Sequence, residues 1–363
     1  MRAMIMAAGL GTRLMPLTGV IPKPMVPIAG YPAIGHILHH LRRHDILEVV
    51  INLHHLPETI RGFFGDGASL GMSIAYSFEE ELMGTAGGVK NNQSFLGGGT
   101  CLIMSGDSLT DVDLGAVRAA HRESGGVSTV VTKRVDDPSE YGVVVTDGSR
   151  RVLGFQEKPA REDALSDLCN CGIYVFEPEI FDLIPADTFY DFGRQVFPGL
   201  LEGGVPFHAY TTGRYWNDVG SLEAYRDGNF DVLAGRVEVV VPGRRVDGDV
   251  WVGETSVISP DARIVGPVVI GSGCVIESGA ELVGPVVVGD GARVGASCRV
   301  TRSVLWEECA VGPGSILEDS LLARGVRLES GAGVRRSALG EGCRVRATAD
   351  VCDATAEPGT ELG

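Results

Sequence analysis

The sequence predicts two domains, an α/β domain with a mostly parallel sheet followed by a solenoid of short strands. The chain has 363 residues, more than one typical domain needs. Residues 1 to about 232 alternate short β-branched runs with helical patterns, whereas from about residue 250 apolar residues recur every six positions. We therefore expect a first domain at 1–234, a linker at 235–249 and a second domain at 250–363.

Six apolar runs predict the strands of the α/β domain. In chain order they read AMIMAA, EVVINL, SIAYSF, CLIMSG, VSTVVTK and GIYVF. Helical patterns near residues 33–44, 113–123 and 221–233 accompany them. This alternation is typical of a mostly parallel sheet with helices on both faces, and such sheets bind ligands at the carboxyl ends of their strands.

A period of six residues organises the second domain. Aliphatic residues at this spacing form a column that contains Val252, Ile258, Ile264, Ile270, Ile276, Leu282, Val288, Val294 and Val300, with Trp306 next in phase. The run GPVVIG at 266–271 returns as GPVVVG at 284–289, so one coil has eighteen residues. The pattern resembles the hexapeptide repeat of left-handed parallel β-helices. After Trp306 the spacing slips to five in places, and we expect the last coils to be irregular.

Composition narrows the functional classes. A formal net charge of -16 and a pI near 4.9 argue against sequence-independent binding of nucleic acid or of an anionic membrane. The first residues turn to glycine too soon for a signal peptide, and no apolar run approaches the length of a membrane span. We expect a soluble cytoplasmic protein.

The cysteines give no sign of a metal site or of disulfides. The eight cysteines include no C-x-x-C pair, which favours reduced, structural thiols.

The loop after the first predicted strand holds two glycines. Backbone N–H groups beside Gly9 and Gly11 can approach a phosphate group, although an ordinary tight turn is an alternative interpretation. The dinucleotide motif G-x-G-x-x-G fails because Leu14 stands at the third glycine position, and no G-x-x-x-x-G-K-[ST] occurs. Further along, prolines on both sides of Lys23 predict an extended segment that holds the ammonium group in place.

The whole run, GLGTRLMPLT at 9–18 followed by PKPMVP at 22–27, resembles the signature of the sugar-nucleotide pyrophosphorylases. Enzymes of that family join a nucleoside triphosphate to a sugar 1-phosphate, and many carry a C-terminal left-handed β-helix. The resemblance thus covers both domains, and it implies a Rossmann-like catalytic domain.

Further motifs of the family recur in the expected order: EEELMGTAGG at 79–88, SGDSL at 105–109, EYGVV at 140–144, FQEKP at 155–159, CNCGIYVF at 169–176 and YWNDVGS at 215–221. The resemblance implies nucleotide binding by Ala7, Ala8, Gly9, Gly11, Thr12, Arg13, Lys23, Glu79, Gly84, Thr85, Ala86 and Gly106. It implies binding of the sugar phosphate by Gly142, Glu157, Lys158, Asn170 and Asp218. Cys171 departs from the family pattern, which commonly has threonine there.

The resemblance implies that the carboxylates of Asp107 and Asp218 hold a magnesium ion. Asp111 and Asp113 compete with Asp107 for this role, and Asp218 has the alternative of anchoring a loop. Two aspartates plus phosphate oxygens suit magnesium, which prefers oxygen ligands.

The implied reaction is in-line attack of a sugar 1-phosphate oxygen on the α-phosphorus of the triphosphate. Catalysis then depends on positioning and charge neutralisation, without a covalent intermediate. Arg13 suits the β- and γ-phosphates, Lys23 the α-phosphate, and Lys158 the sugar phosphate. With Asp107 and Asp218 these three form the predicted catalytic set.

The sequence also allows two other functional classes and several alternative substrates. Hexapeptide solenoids also form acyltransferases that use a histidine base, but no histidine follows His208. A regulatory homologue without activity is a second alternative.

The substrates are a separate question. The arrangement of the motifs is most similar to that of the mannose-1-phosphate guanylyltransferases, while AAG at 7–9 is frequent in uridylyl-transferring relatives. Glucose 1-phosphate with UTP, dTTP or ATP, and unusual sugar or cyclitol phosphates, are therefore alternative substrates. We expect a homo-oligomer, a dimer or tetramer.

Overall fold

A computed structural model describes every residue from Met1 to Gly363. The chain forms two compact units. The first comprises Met1–Leu10 and Ile37–Asp218, and the second comprises Gly11–His36 and Val219–Gly363. None of the helices has the length and apolar character needed to cross a membrane.

Seven α-helices and thirteen strands precede the solenoid. The strands are β1 (Arg2–Met6), β2 (Pro27–Ile28), β3 (Tyr31–Pro32), β4 (Glu48–Leu53), β5 (Ser73–Phe78), β6 (Cys101–Ser105), β7 (Leu109–Thr110), β8 (Ser128–Arg134), β9 (Gly142–Thr146), β10 (Val152–Glu157), β11 (Leu168–Phe176), β12 (Phe207–Thr211) and β13 (Trp216–Asn217). The helices are α1 (Ala33–Arg43), α2 (Pro57–Phe64), α3 (Gly84–Asn91), α4 (Gln93–Leu96), α5 (Leu114–Ser124), α6 (Phe197–Glu202) and α7 (Leu222–Leu233).

A nine-stranded mixed sheet forms the centre of the first unit. Its main path is β10-β9-β11-β6-β1-β4-β5, and β8 lies between β11 and β12. The strands β6, β1, β4 and β5 are parallel neighbours, so their carboxyl ends share one edge. β11 is antiparallel to β6, β8 and β9. Large apolar side chains such as Phe176, Phe192 and Phe197 are buried in the core on this sheet. The predicted fold class of this half is confirmed.

Short strands of the second unit stack as a parallel β-helix. They are β14 (Arg244–Asp247), β15 (Val250–Val252), β16 (Val257–Ile258), β17 (Arg263–Val265), β18 (Val268–Ile270), β19 (Val275–Ile276), β20 (Glu281–Val288), β21 (Arg293–Val294), β22 (Arg299–Leu305), β23 (Ala310–Val311), β24 (Ile316–Glu318), β25 (Leu321–Leu322), β26 (Arg327–Leu328), β27 (Gly333–Arg335), β28 (Ala338–Leu339), β29 (Arg344–Val345), β30 (Asp350–Cys352), β31 (Thr355–Ala356) and β32 (Glu361–Leu362). β14 alone is antiparallel to its neighbour, β15.

Coil length changes once along the β-helix. Val268 pairs with Val286, eighteen residues on, whereas Val288 pairs with Leu305, seventeen residues on. The register shifts between Val283 and Val286, and every later pairing keeps the seventeen-residue step. The expectation of irregular last coils was therefore wrong, because the shorter coil is itself regular.

The change of coil length also moves the inward column by one residue. Leu305, not Trp306, follows Val288 in the column, and Leu322 and Leu339 continue it. Trp306 is thereby displaced from the predicted phase, although it remains buried. Cys274 and Cys298 are buried free thiols in the core of the β-helix, where a thiol packs as a small apolar group.

Candidate active site

The predicted nucleotide residues of the first unit lie at the shared carboxyl edge of β1, β4, β5 and β6. The register places Met6 beside both Asn52 and Ser105, so the segments that follow these strands are neighbours. Gly106 follows Ser105, and its N–H donates to the carbonyl of Met6 at 2.8 Å. A Cβ at Gly106 would lie 2.8 Å from the same carbonyl oxygen, so only glycine fits this close approach.

Asn52 joins two of these segments, and sequence reasoning did not select it. Its Oδ1 accepts the N–H of Ala7 at 2.7 Å, and its Nδ2 donates to Glu79 Oε1 at 2.7 Å. Glu79 Oε2 accepts the N–H of Met83 at 3.1 Å. Glu79 is only 4% exposed, and both of its carboxylate oxygens bond within the chain.

The backbone at Gly9 adjoins open space. A Cβ at this position would meet no atom within 4 Å, unlike a Cβ at Gly106.

A second segment holds the start of α3. The carbonyl of Tyr190 accepts the N–H groups of Ala86 and Gly87 at 2.9 and 3.0 Å. Thr85 Oγ1 donates to Asp191 Oδ2 at 2.8 Å. Thr85 and Ala86 are thus fixed by a segment that no motif of the sequence had indicated.

The two aspartates predicted to bind metal lie on facing segments of the first unit. β7 and β13 pair antiparallel, with Leu109 opposite Asn217. Asp107 precedes this pairing by two residues and Asp218 follows it by one, so the pairing places them on neighbouring segments. Ser105 Oγ donates to Asp107 Oδ1 at 2.5 Å.

The competing aspartates, Asp111 and Asp113, have structural contacts of their own. Asp111 Oδ1 accepts the N–H of Tyr215 at 2.9 Å, which ties the β7 segment to the β13 segment. Asp113 caps α5 by accepting the N–H of Ala116 at 2.9 Å, and this hydrogen bond is the main reason that its pKa is lowered. One carboxylate oxygen of each of these two aspartates is thus engaged within the chain, as Asp107 Oδ1 is by Ser105.

Four of the five predicted sugar residues, all except Asp218, lie on β9, β10 or β11 or directly after β10. Gly142 pairs directly with Glu157, and Lys158 follows in the left-handed region at φ 47°. A Cβ at Gly193 would lie 2.5 Å from Glu157 Oε2. Partial burial raises the pKa of Glu157 and Asp191 raises it further, while Lys158 opposes the shift.

Asn170 is braced within β11. Its Nδ2 donates to the hydroxyl of Tyr174 at 2.9 Å, and its Oδ1 accepts the N–H of Gly172 at 2.9 Å. Gly172 has φ 67°, and a Cβ there would lie 2.9 Å from the Cβ of Ser105. Cys171, which replaces the common threonine, has a buried side chain, and its carbonyl accepts the indole N–H of Trp216 at 2.9 Å.

The remaining predicted residues, Gly11, Thr12, Arg13 and Lys23, belong to the second unit. They lie in a segment that we call the cation loop, residues 11–29. Gly11 has φ 66°, and a Cβ there would lie 2.6 Å from Lys23 Cβ, so the two runs of the signature lie close together here. Lys23 is 8% exposed and starts a 3₁₀ turn, Lys23–Met25. The expectation of an extended segment at Lys23 was wrong, since the extended conformation ends at Pro22.

Comparison with known proteins assigns the chain to a family. A family model described as "Nucleotidyl transferase" matches residues 2–235, and one described as "GMPPB C-terminal domain" matches residues 264–362. The chain belongs to the nucleotidyl transferase family, and the predicted enzyme class is confirmed.

Named relatives are sugar nucleotidyltransferases. UTP–glucose-1-phosphate uridylyltransferase of Synechocystis is 43% identical over 260 residues, which cover 68% of this chain and 67% of that protein. Mannose-1-phosphate guanylyltransferase of Mycobacterium tuberculosis is 38% identical over 234 residues, which cover 64% of this chain and 65% of that protein. The chain thus spans about two thirds of the length of these relatives.

Solved structures agree on the fold. A crystal structure from Bacillus anthracis matches with a TM-score of 0.59 and 24% identity, covering 66% of this chain and 97% of that chain. The structure of HddC from Yersinia pseudotuberculosis matches with a TM-score of 0.56 and 24% identity, covering 63% of this chain and 97% of that chain.

Proposed function

We propose that the protein transfers the nucleotidyl group of a nucleoside triphosphate to a sugar 1-phosphate, forming a nucleoside diphosphate sugar and pyrophosphate. The observation that carries this proposal is the β7–β13 pairing, which brings together the segments of Asp107 and Asp218 in a chain of the nucleotidyl transferase family. No covalent intermediate is needed, because positioning and charge neutralisation suffice for this chemistry.

Asp107 and Asp218 fit a magnesium ion by the chemistry of their donors, which are carboxylate oxygens. No group of three or more His, Cys, Asp or Glu side chains in the structure is arranged to hold a metal, so substrate oxygens and water would complete the shell. When bound, the ion supplies neutralisation of phosphate charge.

Each of the three predicted cations receives a role in this reaction. Arg13 binds the β- and γ-phosphates, Lys23 the α-phosphate, and Lys158 the phosphate of the sugar. The open space at Gly9 supports close approach of the nucleotide to that backbone. Because both oxygens of Glu79 bond within the chain, we propose that this residue serves the nucleotide by fixing its own loop.

GTP and mannose 1-phosphate are the substrates that we favour. The match of residues 264–362 to the GMPPB C-terminal domain and the guanylyltransferase of Mycobacterium tuberculosis support this choice. UTP with glucose 1-phosphate is the second candidate, since the uridylyltransferase of Synechocystis has higher identity. A homo-oligomeric state and a cytoplasmic location stay predictions from the sequence.

The test is pyrophosphate release with magnesium, with GTP, UTP, dTTP, ATP and CTP each paired with mannose, glucose and N-acetylglucosamine 1-phosphates. One strongly preferred pair is expected, and GTP with mannose 1-phosphate would support the favoured substrates. Nucleotide binding without turnover for any pair, cyclitol phosphates included, would favour the regulatory homologue instead.

Removal of a phosphate-binding cation or a metal ligand should reduce the rate strongly. We expect Lys23→Ala or Asp107→Ala to lower kcat/KM at least ~10²-fold, roughly 3 kcal/mol of transition-state stabilisation. Asp113→Ala is the matched control. Loss of its helix cap should cost about 1 kcal/mol of stability and leave kcat/KM at the wild-type value. Near-normal turnover in Lys23→Ala or Asp107→Ala, measured with the preferred substrates, would contradict the assigned role.

A further inference from the structure

The end of the cation loop is held by α7 within the second unit. The hydroxyl of Tyr225 donates to the carbonyl of Pro27 at 2.6 Å, and the N–H of Ala29 donates to Asn229 Oδ1 at 2.8 Å. Tyr225 and Asn229 are both 0% exposed. Complete burial raises the pKa of Tyr225, so its hydroxyl keeps the proton that it donates.

The β-helix holds Tyr225 in turn. Trp306 Nε1 donates to the Tyr225 hydroxyl at 2.7 Å, and the two rings pack edge to face with centroids 6.3 Å apart. Trp306 is available for this contact because the seventeen-residue coil gives the inward position to Leu305. A continuous hydrogen-bonded path therefore runs from the β-helix to Pro27, four residues beyond Lys23.

A second contact reaches the middle of the cation loop. A Cβ at Gly19 would lie 3.0 Å from Pro358 Cγ, in the last coil of the β-helix. Gly19 does not have a positive φ, so the close approach of Pro358 is what favours glycine there. The β-helix thus contacts the loop at Gly19 and, through Tyr225, at Pro27, on either side of Lys23.

We propose that the β-helix positions the cation loop for catalysis, with Trp306 and Tyr225 as positioning residues that act through Pro27 on Lys23 and Arg13. This inference rests on the proposed function for the roles of the two cations. It gives the β-helix a part in the reaction.

Trp306→Phe tests the proposal in the full-length protein. The substitution removes the indole donor and keeps an apolar ring. We expect faster backbone hydrogen–deuterium exchange in residues 11–29, and about a fivefold or larger rise in the KM for the nucleoside triphosphate. The KM for the sugar 1-phosphate should stay unchanged, which a general loss of structure would not produce.

Trp251→Phe is the matched control. Trp251 lies in the first coil, where the guanidinium of Arg245 stacks on its ring at 5.3 Å from the centroid. We expect this variant to leave both the exchange of residues 11–29 and the triphosphate KM at wild-type values. Equal effects of the two substitutions would overturn the proposal.

A third variant decides the case in which Trp306→Phe fails to fold. Tyr225→Phe keeps the ring and removes only the hydroxyl between Trp306 and Pro27. Unchanged exchange in residues 11–29 in a folded variant would overturn the proposal. Because exchange needs no substrate, it tests the positioning even if the wild-type protein transfers no nucleotide, and that second result would count against the proposed function alone.

Discussion

Asn52 shows how one buried side chain can join the segments of a candidate site without belonging to any sequence motif. Its amide joins the backbone after β1 to Glu79, which in turn accepts the N–H of Met83. An uncharged amide can donate and accept at once, which a carboxylate cannot do. Asn52 therefore fixes two segments that carry predicted nucleotide residues, and both carboxylate oxygens of Glu79 are bonded within the protein.

The negative charge of Asp191 near Glu157 predicts a shifted pH response at the proposed sugar site. The pKa of Glu157 is raised by partial burial and by the negative charge of Asp191. If the ionised carboxylate accepts hydrogen bonds from sugar hydroxyls, the KM for the sugar 1-phosphate should rise as pH falls, beginning above the pH range in which an ordinary glutamate takes up its proton.

Asp191→Asn checks this response. It removes the neighbouring charge and lowers the pKa of Glu157, so the rise in KM should move to lower pH. Steady-state kinetics of the wild type and variant at matched pH cancel the ionisation of the substrate itself. An unshifted pH profile would show that the charge of Asp191 does not control this site.

Among the elements, the coils of the β-helix depend on their inward column. Leu317 is fully buried in that column, whereas Val257 of the first coil is 64% exposed. We expect Leu317→Ala to lower the free energy of unfolding by about 2–5 kcal/mol, since it removes buried methyl groups and leaves a cavity. Val257→Ala should change it by less than about 0.5 kcal/mol. Denaturant unfolding followed by circular dichroism measures both, and similar losses would show that the column is not the main source of stability.

Charged pairs between coils contribute less to the stability of the β-helix than the inward column does. Arg302 pairs with Asp319, and Arg336 pairs with Asp353, each across one seventeen-residue step. All four side chains keep solvent access, so each pair contributes little compared with the column. These pairs do show the seventeen-residue coil length on the surface, because each joins residues one coil apart.

For the whole molecule, the important feature is that its second compact unit is not continuous in sequence. Residues 11–36 group with residues 219–363. A chain cut after residue 234 keeps the cation loop and Tyr225 but loses Pro358 and the hydrogen bond from Trp306 to Tyr225. We expect the fragment 1–234 to show fast hydrogen exchange in residues 11–29 and at least ~10²-fold lower nucleotidyl transfer than the full chain. Full activity of this fragment would show that the predicted domain boundary is also a functional one.

Local pattern alone predicted the alternating sheet and helices, the six-residue repeat and the signature residues, because each is expressed in spacings of a few positions along the chain. The expectations that failed, at Trp306 and around Lys23, depended on a single-residue change of register and on a turn after Pro22. Asn52, Asp191 and Tyr225 act through partners from 27 to 198 residues away in sequence. Such contacts arise only when packing brings distant segments together, and no local spacing records which segments those are.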